Sequence, residues 1–139
     1  MKRKVFSILI MSFLFVLCIS VVAISESSYY LDSYSSTIDA EGNGKILITF
    51  AVAGTGKMSS IGVTAIEVQK KVGSSWEYDR TLTYSNNSNF LTSNSICHAS
   101  QVRITGVSGT QYRAIITFYA ANSTGSDSKN QTSSTATCY

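Results

Sequence analysis

The chain has 139 residues and a formal net charge of +3. That length allows one domain and excludes a large enzyme barrel, a two-lobed doubly wound sheet and a long repeat array. The charge comes from Lys2, Arg3 and Lys4; beyond Ser25 the basic and acidic residues balance, so the footprint that a nucleic-acid binder needs is missing.

Residues 1–25 read as a secretory signal peptide. Met-Lys-Arg-Lys forms a basic start, an apolar run of about 20 residues follows, and Ala23-Ile24-Ser25 puts small residues at the −3 and −1 positions of a cleavage site. The run is long enough to anchor the chain if it stays uncleaved. Cleavage is favoured, because no basic stop-transfer cluster follows. Leu17 is too bulky for lipidation at Cys18.

Residues 26–139 form the expected folded domain. Ser, Thr and Asn make up over a third of it, and proline is absent. Apolar residues alternate with polar ones in runs such as Ile46-Ile48-Phe50-Val52, Trp76-Tyr78-Arg80-Leu82-Tyr84 and Tyr112-Ala114-Ile116-Phe118-Ala120, a period that suits half-buried strands. Glycine and asparagine clusters separate the runs and read as turns, Gly54-Thr55-Gly56 among them. About seven strands result, at 29–40, 45–53, 61–71, 76–84, 96–106, 110–121 and 126–136. Their spacing predicts an all-β, antiparallel sandwich, with a small barrel as the alternative.

The stretch Gly109-Thr110-Gln111-Tyr112-Arg113-Ala114, with Ala121-Asn122-Ser123-Thr124-Gly125 after it, is similar to the sixth and seventh strands of immunoglobulin and fibronectin type III-like domains. That resemblance implies a tyrosine corner at Tyr112, whose hydroxyl bonds the backbone a few residues upstream. Trp76 departs from the pattern, since it falls on the fourth expected strand. A wider set looks like a domain-of-unknown-function family of small secreted proteins of Gram-positive bacteria. It comprises Ser33-Tyr34, Ile38, Gly42-Asn43-Gly44-Lys45, Gly54-Thr55-Gly56, Met58, Ile61-Gly62, Tyr112-Arg113-Ala114 and Phe118-Tyr119-Ala120-Ala121-Asn122-Ser123. That likeness implies secretion and a β-rich domain, and it carries no catalytic residue or ligand.

The inventory for catalysis is thin. Ala53-Gly54-Thr55-Gly56-Lys57-Met58 lacks the first glycine and the hydroxyl of a phosphate-binding loop. Asp39-Ala40-Glu41-Gly42-Asn43-Gly44 starts like a calcium loop but reaches Phe50 where a bidentate Glu belongs. His98 is the single histidine, and its neighbour Cys97 faces the other side of a strand, so a nucleophile–base pair fails. Glu77 and Asp79, expected on one strand face opposite Trp76, Tyr78 and Leu82, offer a carboxylate pair for glycoside cleavage; a solvated face explains them more simply. Tyr29, Tyr30 and Tyr34 offer a patch for sugar stacking or protein docking, or else pack the first strand onto the core.

Cys97 and Cys138 leave a bridge open. An even count in an oxidising space favours it, while a sandwich topology places the two at opposite ends of like-directed strands; a tail folding back from Asn130 would reconcile the two. The reading expected overall is a monomeric, non-enzymatic, secreted or cell-surface binding module. Its partner is an extracellular protein or glycan, with no cofactor, metal or nucleic acid. It meets membrane only through residues 1–25 if they stay uncleaved. The alternatives are an accessory or weak glycoside hydrolase and a secreted effector acting on other cells.

Overall fold

The computed structural model describes residues 28–139, and the leader expected at residues 1–25 lies outside them. Six strands follow in order: β1 (Leu31–Gly42), β2 (Lys45–Val72), β3 (Ser75–Thr83), β4 (Leu91–Thr105), β5 (Gln111–Asn122) and β6 (Gly125–Thr137). All are antiparallel and belong to one hydrogen-bonded sheet that curls into a half-barrel. Among the described residues no helix is long and apolar enough to cross a membrane.

The strand β2 organises the sheet. Its first half pairs with β1 on one side and β4 on the other, from Ile46 opposite Ala40 and Ile104 to Ala53 opposite Ser33 and Cys97. Its second half pairs with β5 and β3, with Ile66 opposite both Ile116 and Leu82. The strands expected at 45–53 and 61–71 are therefore one strand of 28 residues, and the total is six. The expected turn at Gly54-Thr55-Gly56 is instead an irregularity inside β2, where the register against β4 slips between Ala53 and Met58. Glycine suits a bulge as well as a turn. At Gly54 a Cβ would stand 2.9 Å from Met58 Cγ and 3.0 Å from the Gly56 carbonyl oxygen.

Period two places every second residue of β2 inside. Ile46, Ile48, Phe50 and Val52, then Ile66 and Val68 across the bend, face Tyr112, Ala114, Ile116, Phe118 and Ala120 of β5. Removing such side chains from water supplies about 1.5–3 kcal/mol each. Two aromatic contacts tie the halves together. Tyr34 on β1 packs on Phe118 of β5 with ring centroids 4.9 Å apart, and Phe50 meets Phe90 edge-on at 5.6 Å.

Phe90 enters from the β3–β4 connection, which behaves as a plug. Its ring is fully buried, and its carbonyl accepts the Val63 N–H at 2.8 Å. Gly62 (φ 149°) permits this approach, because a Cβ there would lie 2.0 Å from the Phe90 oxygen. The His98 ring, 6.1 Å from Phe50, holds the loop from below through Nε2 and the Asn89 carbonyl oxygen at 2.7 Å.

The first described residues are clamped to the β5–β6 turn. The Asp127 carboxylate accepts the Ser28 hydroxyl and the backbone N–H groups of Tyr29 (2.9 Å) and Tyr30 (3.3 Å). Those donors, the Ser28 hydroxyl foremost, hold the Asp127 carboxyl below the usual aspartate range.

Candidate ligand-binding face

Two outward faces flank the bend of β2, and they differ in chemistry. On the first half, Ser33 and Ser35 of β1 stand beside Ala53 and Ala51 of β2 and Cys97 and Ala99 of β4, forming a shallow groove of small side chains. Further along, Glu41 takes Arg103 bidentately at 2.8 and 3.0 Å, which raises the Arg103 pKa, and Lys45 donates to Thr105 Oγ1 at 2.9 Å. The calcium-loop lookalike at Asp39–Gly44 is thus the end of β1 and a tight turn with its Glu41 oxygens engaged. Among the described residues no group of three or more His, Cys, Asp or Glu is placed to hold a metal ion.

On the second half, β2 presents Glu67, Gln69 and Lys71 outward. Opposite them lie Thr81, Tyr78 and Trp76 of β3, while Ile115 and Arg113 of β5 flank Glu67 and Gln69. Arg113 Nε donates to Gln69 Oε1 at 2.7 Å, and Gln69 Nε2 donates to Glu67 Oε1 at 2.7 Å. The Arg113 guanidinium carbon lies 4.5 Å from the Trp76 ring centroid, and Lys71 Nζ lies 5.0 Å from it. Such cation–π contacts, worth about 0.5–1 kcal/mol at exposed sites, favour one orientation of the indole. Tyr78, one row away, is 62% exposed.

A bulge creates this face. Asp79 is an extra residue in β3, lying between Tyr78 opposite Gln69 and Arg80 opposite Val68. Trp76 and Tyr78 consequently point outward, whereas Leu82 packs on the core, so the expected single face from Trp76 through Leu82 is corrected. The bulge also breaks up the expected carboxylate pair. Asp79 is held by Arg80 (2.6 Å) and Lys70 (3.8 Å), while Glu77 is exposed and pairs in register with Lys70. Both Asp79 oxygens are engaged by cations, whereas Glu77 makes no ion pair among the described residues.

Other sequence-predicted residues fall elsewhere. Tyr29 is 84% exposed, Tyr30 reaches Thr124 Oγ1 with its hydroxyl at 3.3 Å, and Tyr34 packs inward on Phe118, so the three do not form one patch. Tyr112 is buried, and its hydroxyl accepts the Val107 N–H at 2.9 Å. Cys97 and Cys138 are free thiols, the first exposed and the second buried, so the bridge left open by sequence is absent. Cys138 Sγ sits beside Gly106, which follows Cys97 by about 25–30 Å of strand. The tail does not fold back, because β6 stays paired with β5 as far as Thr137 opposite Gln111.

Sequence reasoning passed over Glu67, Gln69, Lys71 and Arg113. The signal was the run of polar residues at every second position of β2, but their convergence on Trp76 depends on a cross-strand register.

No protein-family model matches the chain, and no curated protein matches it. Among solved structures it is similar to a family 76 glycoside hydrolase from a bovine Bacteroides thetaiotaomicron strain, at 18% identity and a TM-score of 0.35. The match covers 78% of this chain and 21% of that structure, so the chain spans about a fifth of the length of the protein it matches.

Proposed function

We propose that the chain is a non-enzymatic, secreted or cell-wall-associated binding module that takes a glycan on the outer face of β3, the second half of β2, and β5. The carrying observation is the Trp76 indole oriented by Lys71 and Arg113, beside exposed Tyr78 and the Arg113–Gln69–Glu67 relay. Sugar rings have one apolar face and a rim of hydroxyls. A planar aromatic beside amide, carboxylate and guanidinium groups matches both parts. The module works as a monomer without cofactor or nucleic acid.

We further propose that the half-barrel is a variant of the immunoglobulin and fibronectin type III-like sandwich, in which the second and third strands run on as β2 and Tyr112 serves as the tyrosine corner. The bond from the Val107 N–H to the Tyr112 hydroxyl supports it.

A glycan array probed with the full chain and with Trp76→Ala tests the function. Retention of specific glycans by the parent and loss by the variant is the expected result. Equal retention by both would place the binding elsewhere and overturn the proposal.

A further inference from the structure

We infer that the ligand of this face is an anionic saccharide, its charge carried by a carboxylate, sulfate or phosphate ester; the inference rests on the glycan-binding reading above. The argument begins with charge pairing. Asp79 holds Lys70 and Arg80, and Glu41 holds Arg103. Lys71 and Arg113 differ: among the described residues neither has a carboxylate within ion-pair distance, yet both converge on one indole. Glu67 reaches Arg113 only through Gln69, which occupies Arg113 Nε; among the described residues the two terminal nitrogens of the guanidinium donate no hydrogen bond. On the outward side of these strands the local balance is therefore two cations against Glu67. Lys70, Glu77, Asp79 and Arg80 belong to the inward register or to the bulge.

The geometry then specifies the ligand. Guanidinium forks bind planar oxyanions through parallel hydrogen bonds, and an ammonium adds a point charge. Trp76 and Tyr78 are two residues apart on one strand face, a spacing of about 6–7 Å. A pyranose stacked on Tyr78 brings an acidic group on itself or its neighbour toward Lys71 and Arg113. A neutral sugar leaves those two charges without a counter-charge. Nucleic acid also offers rings and anions, but its affinity comes from neutralising many phosphates. Two cations with a carboxylate alongside suit a ligand of isolated charges.

The chain holds a single tryptophan, so intrinsic fluorescence reports on this site directly. The full chain is titrated with an oligogalacturonate, its methyl ester, a sulfated galactan oligomer, a phosphorylated mannan oligomer, an acidic peptide and a single-stranded oligonucleotide. The expected result is a Trp76 response to at least one acidic saccharide, weakening with salt. Methyl esterification, Arg113→Gln and Lys71→Gln each reduce the affinity about tenfold or more while the far-ultraviolet circular dichroism stays unchanged. The arm that binds identifies the anion. Equal binding of the ester and the acid would overturn the anionic inference and leave the glycan reading standing. Response only to the peptide or the oligonucleotide, or to no probe, would overturn both.

Discussion

The two outward faces of β2 share one backbone and one core, yet the groove on one is bare and the other face is furnished. Before the bend, Ser33, Ser35, Ala51, Ala53, Cys97 and Ala99 line a groove that offers little besides backbone and small side chains. After it, Trp76, Lys71, Arg113, Gln69 and Glu67 are held in mutual contact. The core beneath is equally tight in both halves, with Ile46 and Ile48 as buried as Ile66 and Val68. On the proposed reading, function in this molecule is separable from stability: the inward residues of β2 set the fold, and the outward residues of its second half would set the ligand chemistry.

That separation breaks first at the core. Phe118→Ala removes the ring on which Tyr34 packs, and should cost about 3–5 kcal/mol, lowering the melting temperature by well over about 10 °C. Both faces should be lost in one transition, which calorimetry and Trp76 fluorescence followed together would check. Separate transitions would show that the two halves are independent.

Tyr112→Phe should cost about 0.5–1.5 kcal/mol, because the Val107 N–H loses its acceptor. Chemical denaturation measures it, and an unchanged midpoint would count against the corner. Trp76→Ala should abolish saccharide binding for a stability loss of about 1 kcal/mol, the size of a cross-strand pair with its exposed cation contact.

Asp127 is expected to act only through pH. Its carboxyl is held low in the folded state, so its contribution is present above the ordinary aspartate range and is lost as pH falls through the lowered value. The melting-temperature advantage over Asp127→Asn should therefore shrink as pH falls through and below the ordinary aspartate range. Smallest of all, Cys97→Ser should change stability by less than about 0.5 kcal/mol. Alkylation of the parent followed by peptide mass analysis should label Cys97 in the native state and Cys138 only after denaturation.

The inward half of this arrangement was legible in the sequence and the outward half was not. Alternation from Ile46 to Val52 and from Tyr112 to Ala120 marks strands because burial of one face imposes a period of two. The same signal does not reveal where a strand ends. Gly54 and Gly56 suit a bulge as well as a turn, so β2 reads as two strands. Asp79 shows why the site was hidden. One extra residue reverses the facing of everything after it, which puts Leu82 in the core while Trp76 and Tyr78 stay outside. Arg113 reaches Trp76 only because β5 and β3 flank the same stretch of β2, a fact of register that spacing along the chain does not encode.

The most direct test is amide and indole chemical-shift mapping on the isotopically labelled chain during titration with the acidic oligosaccharide that binds most tightly. The account predicts the largest shifts at the Trp76 indole N–H, Tyr78, Gln69, Lys71 and Arg113, with Ser35, Ala51 and Ala99 unmoved. Shifts centred on the groove of Ser33, Ala53 and Cys97, with Trp76 silent, would contradict it.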